Sequence, residues 1–179
     1  MRYFAFLRAI NVGGHTVKMD ILRQLFESLG YDNVETYIAS GNVIFECPLV
    51  DTAALEREIA AKLGQALGYE VATFLRTAVE LAAIASHRPF SLVELEIAQA
   101  INIAFFSNAV DEPATQKLMN LQTEIDTFHV HGREVYWLCR KKQSESTFSN
   151  AVLEKTIGRP STLRGVNTIL KLADKYVQS

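Results

Sequence analysis

The chain has 179 residues, of which 49% are hydrophobic, 21% charged and 9% aromatic, as in ordinary globular proteins with a sizeable core. Its net charge of −2 argues against broad electrostatic attraction to nucleic acid or to an anionic membrane. No apolar run reaches the roughly 20 residues that cross a bilayer, and the first one is too short for a signal peptide. We therefore expect a cytoplasmic protein with no membrane partner.

The first part of the chain predicts the element order β-α-β-β-α-β. Apolar runs that end in turn residues predict strands, and apolar residues spaced three and four apart predict helices. The predicted segments are a strand over 2–7, a helix from Met19 that ends at Gly30, a strand over 34–39, a three-residue hairpin loop at Ser40–Asn42, a strand over 43–47, a helix from Asp51 or Thr52 to Gly68, and a strand over 70–75.

The second part repeats this order less clearly. The predicted segments are a helical linker over 79–86, a break at 88–91, a strand over 100–106, a helix over 113–121, a hairpin of strands 127–131 and 134–140, a helix over 147–157, a weak strand around 161–166 and a last helix capped by Asn167. In the hairpin, Val130 is expected opposite Val135 and Phe128 opposite Trp137, which makes one side apolar.

These segments predict an α+β fold of two tandem ferredoxin-like units with antiparallel sheets, followed by a C-terminal helix. The first unit is expected to span residues 1–78. Residues 79–179 would form the linker helix, a degenerate second unit and the C-terminal helix. The two units can form one compact domain.

Two motifs follow strands of the first predicted unit. Residues 7–15 read LRAINVGGH, and residues 36–42 read TYIASGN. In a β-α-β-β-α-β unit, the first and third strands are antiparallel neighbours, so both motifs are expected at the same end of the sheet. The first helix also begins there, with its unpaired N–H groups.

This arrangement predicts a site for a phosphate or a carboxylate. Gly13 and Gly14 let the backbone approach a bound group, while Arg8 and Lys18 supply positive charge. The alternative is that both motifs are only tight turns, in which asparagines bond to backbone. The candidate ligand-binding residues are Arg8, Asn11, Gly13, Gly14, Lys18, Ser40, Gly41, Asn42, Arg164 and Asn167.

Arg164 and Asn167 belong to a basic tail. Residues 132–179 carry a charge of +5 and residues 1–131 carry −7, which is typical of an anion-binding face or of two halves that attract each other. The sequence leaves open whether the tail joins the first site. Residues 140–149 place cations and hydroxyls before a helix, which indicates a second anion site or a solvated loop with a helix cap.

Other candidate sites have simpler interpretations. His129 and His131 share a strand face, with Glu134 opposite His131, and could present three metal ligands. We favour an exposed hairpin with an ordinary His–Glu pair, and we expect no metal and no cofactor. Cys47 and Cys139 lack ligand spacing and are expected to be reduced, partly buried thiols.

At its two motifs the chain resembles the bacterial family known as domain of unknown function 1697. The family hallmarks, LRGINVGG and TYI-x-SGN, stand here at residues 7–14 and 36–42, with Ala9 in place of a glycine. The family tail is similar to residues 144–149 and 162–168, although Gly165-Val166 replaces Asn-Trp. The resemblance implies a duplicated ferredoxin-like architecture and supplies no established activity.

The leading functional hypothesis is a non-catalytic module that binds a small anionic ligand at the two motifs. The second is an enzyme that acts on a phosphorylated or nucleotide-like molecule, although no nucleophile–base pair is visible. Nucleic-acid binding through the basic tail is the least favoured of the three. The sequence does not indicate an oligomeric state.

Overall fold

The structure, a computed structural model, describes residues 1–11, 14–48 and 50–177. The chain forms two compact units, Met1–Leu81 and Ala82–Ser179. Each unit contains one four-stranded antiparallel sheet. In the described residues, every helix is too short or too polar to cross a membrane.

The first unit has the predicted β-α-β-β-α-β order. Its elements are β1 (Arg2–Leu7), α1 (Met19–Ser28), β2 (Asp32–Thr36), β3 (Asn42–Glu46), α2 (Thr52–Leu67) and β4 (Thr73–Thr77). The strands lie in the order β2-β3-β1-β4, so β1 is central and pairs with both β3 and β4. This order confirms the ferredoxin-like prediction for the unit.

The core of the first unit lies between one face of the sheet and the two helices. Tyr3 and Phe45 stack on the sheet with ring centroids 5.6 Å apart. Phe26 of α1 packs on Phe45 at 5.4 Å, and Ile59 and Leu63 of α2 are fully buried in the same core. The apolar spacing that predicted each helix is therefore the spacing that buries it.

Two strands of the first unit, β2 and β4, lie at other positions than predicted, and the hairpin loop changes with β2. The hairpin loop spans residues 37–41, because β2 ends at Thr36 rather than at residue 39. Ile38 has a φ of +52° there, which takes the chain out of the extended conformation. β4 covers 73–77 rather than 70–75, since pairing with β1 places Leu75 opposite Ala5.

The second unit repeats the architecture. Helix α3 (Ala78–Ser86) crosses the division between the units. The elements after it are α4 (Leu92–Ile97), β5 (Ala100–Phe105), α5 (Glu112–Met119), β6 (Asp126–His131), β7 (Glu134–Cys139), α6 (Asn150–Ile157), β8 (Thr162–Gly165) and α7 (Val166–Tyr176). The strand order β6-β7-β5-β8 matches that of the first sheet, and the predicted pairs Val130–Val135 and Phe128–Trp137 are confirmed.

Helix α4 was not predicted from the sequence, and helices α6 and α7 begin at other residues than predicted. Helix α4 follows the predicted break and begins with a capping box, in which Ser91 and Glu94 bond to each other's backbone. Helix α6 begins at residue 150 rather than 147, because Ser149 caps it. Asn167 is not the cap of the last helix, since Gly165 holds that position.

The core of the second unit lies between its sheet and helices α5 and α6. Trp137 and Phe148 meet edge to face there at 4.9 Å. The Trp137 indole N–H donates to the buried Asp126 carboxylate at 2.8 Å, which satisfies the polar end of this large side chain. Cys47 and Cys139 are free and buried, one in each unit, as expected.

Candidate functional site

The two motif loops meet at one end of the first sheet. Phe6 of β1 pairs with Asn42 of β3, so the end of one strand lies beside the start of the other. Immediately beyond, the Leu7 amide donates to the Gly41 carbonyl at 2.9 Å. The predicted proximity of the motifs is therefore present. Gly13 lies outside the described residues.

Asn11 connects the two loops through its side chain. Its amide Nδ2 donates to the Ala39 carbonyl of the hairpin loop at 2.8 Å. Its Oδ1 accepts from the Val17 amide, just before α1, at 2.7 Å. One half-buried asparagine therefore holds together the end of β1, the start of α1 and the hairpin loop.

Asn42 holds the hairpin loop from inside. The side chain is 1% exposed, and its Nδ2 donates to the Tyr37 carbonyl at 2.9 Å and to the Ser40 hydroxyl at 3.0 Å. The Tyr37 amide donates back to the Asn42 carbonyl at 3.0 Å. Asn42 thus shapes the loop, while Ser40 is exposed at its surface.

The backbone of both loops is strained. Ala9, Asn11 and Ile38 have φ values of +63°, +57° and +52°, in the left-handed region. Within the described part of the chain, the only other non-glycine residue with a positive φ is Asn33. For Ala9 and for the β-branched Ile38 this conformation costs on the order of 1–3 kcal/mol and persists only where the surroundings enforce it, whereas asparagine tolerates it. The strain is concentrated where the loops meet.

Positive charge and open backbone lie beside the two loops. Lys18 is exposed at the N-cap position of α1, where its side chain makes no capping hydrogen bond. Gly14 is exposed, with a φ of +84° and open space around its Cα. Arg8 is half-buried, and its main-chain amide is anchored to the Ala72 carbonyl at 2.9 Å. The first turn of α1 adds the positive end of the helix dipole to these cations, and it also carries the exposed Asp20 carboxylate, which Arg23 approaches to 3.9 Å.

His15, the last residue of the first motif, contacts a tyrosine that follows α2. Its ring stacks on Tyr69 with centroids 3.8 Å apart and planes inclined by 22°. Burial raises the pKa of Tyr69, so the phenol stays neutral at physiological pH. No local signal in the sequence points to this contact, because Tyr69 follows α2 and is far from His15 along the chain.

Arg164 and Asn167 lie in the second unit, and their participation in the first-unit site stays a prediction. Arg164 is 6% exposed on β8, where it donates to the Thr162 hydroxyl and the Leu163 carbonyl, both at 2.8 Å. Burial lowers the pKa of Arg164 to about 10, which leaves the guanidinium charged at neutral pH. Asn167 is exposed in the first turn of α7.

The hydroxyl-rich segment before α6 has structural partners. The Ser146 hydroxyl donates to the Asp126 carboxylate at 2.6 Å, and Ser149 caps α6. These contacts favour the interpretation of residues 140–149 as a loop with a helix cap.

Comparison with known proteins identifies the family. A family model described as "Protein of unknown function (DUF1697)" matches residues 1–136, which include both motif loops. The chain belongs to the DUF1697 family. Residues 137–179, with Arg164 and Asn167, lie beyond the match. No curated protein matches the chain.

This DUF1697 chain shares its fold with a solved bacterial structure. Conserved bacterial protein SP0830 from Streptococcus pneumoniae superposes with a TM-score of 0.79 and 21% sequence identity. The alignment covers 99% of this chain and 98% of that protein. The duplicated architecture is therefore common to both over their whole lengths.

The sequence predicted only part of a cluster of histidines in the second unit of this DUF1697 chain. His129 and His131 share a face of β6, as predicted, but His87 joins them from the end of α3. Burial, and then the neighbouring imidazoles, lower the pKa of His87, and the same causes lower the pKa of His129. His87 is far from the pair in sequence, so spacing rules do not find it.

Proposed function

We propose that this DUF1697 protein binds a small anionic ligand, bearing a phosphate or a carboxylate, on its paired loops. The name "paired loops" here means residues 8–11, 14–18 and 37–41. Arg8, Gly14, Lys18 and Ser40 would contact the ligand, together with the first backbone amides of α1.

The observation that carries the proposal is the strained junction that Asn11 holds together. Ala9 and Ile38 in the left-handed region are an unfavourable way to build a simple turn, since glycine and asparagine are the residues that adopt this region readily. Strain of this kind concentrates at binding sites, where it fixes groups in place before the ligand arrives. A preorganised loop also binds with less loss of conformational entropy.

The charges around the loops favour an anion. Lys18 and Arg8 contribute two cationic side chains, and the amino end of α1 adds the positive end of its dipole. Exposed Gly14 allows a bound group to approach the backbone closely. These features are those that phosphate and carboxylate groups use in proteins.

The side chains of Asn11 and Asn42 have a supporting role in this proposal. Both already use their amide groups to hold the loops. Removing either would lower affinity indirectly, by loosening the loops, rather than by deleting a contact to the ligand.

Isothermal titration of the intact chain with inorganic phosphate, citrate and ATP tests the proposal. At least one probe should bind, and Lys18→Ala should weaken it by about 1.5–3 kcal/mol, roughly ten- to a hundredfold, because a charge-assisted bond is lost. The matched control is Lys62→Ala, which removes an exposed lysine from α2 and should leave affinity unchanged.

The double variant Arg8→Ala/Lys18→Ala gives the decisive result. Unchanged affinity in that variant, with an unchanged thermal midpoint, would refute a site on the paired loops. Release of inorganic phosphate from ATP by the wild-type protein, abolished by Ser40→Ala, would instead favour the enzymatic alternative.

A further inference from the structure

Three of the four histidines of the chain lie together in the second unit. His87 stacks on His131 with ring centroids 4.2 Å apart, and its centroid is 5.2 Å from that of His129. One ring nitrogen of each histidine lies within 4.8 Å of those of the other two. We call this group the histidine cluster.

The fold brings the three rings together from two directions. On β6, Phe128 and Val130 face the core below, so His129 and His131 face the opposite side of the sheet. His87 is placed by the last turn of α3, where its amide donates to the Ala83 carbonyl at 3.1 Å. The cluster is therefore held by backbone geometry rather than by flexible loops.

Tyr136 of the neighbouring strand supports the position of His87. The Tyr136 ring lies 5.1 Å from the His87 ring, centroid to centroid, and its hydroxyl donates to the Ile84 carbonyl at 3.4 Å. Tyr136 is 2% exposed, so this contact ties the end of α3 to the sheet.

A second observation points to a ligand. The Nε2 atom of His87 is buried and has no hydrogen-bond partner among the residues that the structure describes. Buried ring nitrogens normally have a partner, and one that lacks it calls for an explanation. Here the unpartnered nitrogen belongs to a group of three imidazoles that each have a ring nitrogen within 4.8 Å of the others.

We infer that the histidine cluster binds one divalent transition-metal ion of the zinc class through His87, His129 and His131. Neutral imidazole nitrogens are the donors that such ions prefer, whereas magnesium and calcium prefer oxygen. Three protein ligands leave the fourth tetrahedral position to solvent or to a small anion, an arrangement typical of reactive rather than structural zinc sites.

Coordination of one ion requires His87 and His131 to turn out of their stacked arrangement, because their ring planes, inclined by 18°, do not both contain a common point near the nitrogens. Zinc–nitrogen bonds of about 2.0–2.1 Å in a tetrahedron separate the nitrogens by about 3.4 Å. The present separations, within 4.8 Å, are close enough for rotation about the side-chain bonds to close them.

The electrostatic surroundings contain one favourable and one unfavourable feature. The carboxyl end of α3, next to His87, is the negative end of the helix dipole and stabilises a cation. Arg88 is the opposing charge, but it is exposed and its guanidinium donates to the Ala85 and His87 carbonyls. Glu134, which pairs with His131 across the hairpin, is not part of the cluster.

Metal titration of the intact chain, without a polyhistidine tag and after treatment with EDTA, tests the inference. Isothermal titration with zinc chloride should show saturable binding of one ion per chain. Cobalt(II) should give the visible absorption of a tetrahedral complex, and magnesium chloride should give no binding.

Histidine variants locate the ion. His131→Ala, at an exposed position, and His87→Ala should each weaken zinc binding by at least about tenfold, the loss that removal of even an outer-shell partner causes. His15→Ala, which changes the remaining histidine in the first unit, is the matched control and should bind zinc as the wild type does.

Three results would overturn the inference. They are absence of saturable zinc binding by the wild type, zinc binding that survives either His131→Ala or a folded His87→Ala, and equal weakening by His15→Ala. Circular dichroism and the thermal midpoint establish folding. If His87→Ala does not fold, the exposed His131→Ala variant decides the result alone.

Discussion

Replacing Gly41 with alanine tests the contact between the two motif loops. Gly41 has a φ of +84°, and a Cβ built on it would lie 2.9 Å from the Cβ of Ile10 and 3.3 Å from the Cβ of Leu7. Both neighbours are Cβ atoms fixed to the backbone, so neither can rotate away. The first motif loop itself would have to move.

The magnitude follows from two separate costs. A left-handed conformation costs an alanine about 1–2 kcal/mol. Overpacking against atoms that cannot give way adds about 1–3 kcal/mol. We therefore expect Gly41→Ala to lower the free energy of unfolding by about 2–5 kcal/mol.

Gly68→Ala is the matched control for backbone strain. Gly68 also lies in the first unit, with a φ of +80°, but nothing lies within 4 Å of its added Cβ. Urea denaturation of the two variants and the wild type separates the costs, since only Gly41 carries the steric one. Equal destabilisation by the two substitutions would refute the close packing of the motif loops.

Three further substitutions or reactions test other parts of the structure. Asn11→Ala removes both hydrogen bonds of the loop junction, and urea denaturation should show a loss of about 1–3 kcal/mol, whereas unchanged stability would contradict the bridge. Asp126→Ala leaves the Trp137 indole N–H buried without its acceptor, so we expect a similar loss in the free energy of unfolding. The fluorescence spectrum of this single tryptophan should also shift. An unchanged spectrum and an unchanged stability would argue against the contact. Burial raises the pKa of the Cys47 and Cys139 thiols, which lowers their thiolate fraction, so at pH about 8.5 a thiol reagent should react slowly with the native protein and rapidly in urea. Rapid reaction of the native protein would contradict this burial.

The repeated fold could be predicted because its signals are local. The apolar spacing of α1 and the pairing of Phe128 with Trp137 depend only on which side chains share a face. Helix α4 was missed because its apolar residues are exposed and form no buried face, although the capping box of Ser91 and Glu94 was a readable signal. The sequence signal for β8 was weak because β8 is a short strand at the edge of the sheet.

The proximity of the two motifs also came from the sequence, since the order of elements makes β1 and β3 neighbours. The roles of Asn11 and Asn42 could not be read from the sequence. An asparagine in a turn has the same local pattern whether it bonds to a ligand or to the backbone. Only the positions of Ala39 and Tyr37 decided that both amides hold the loops.

The sequence by itself determined the strands, the helices other than α4 and the end of the sheet where the motifs lie, because periodicity and turn residues act over a few positions. The tertiary structure alone decided that His87 joins His129 and His131, and that His15 stacks on Tyr69. Such partners are far apart along the chain. Their meeting depends on strand register and on where a helix ends, which no local pattern encodes.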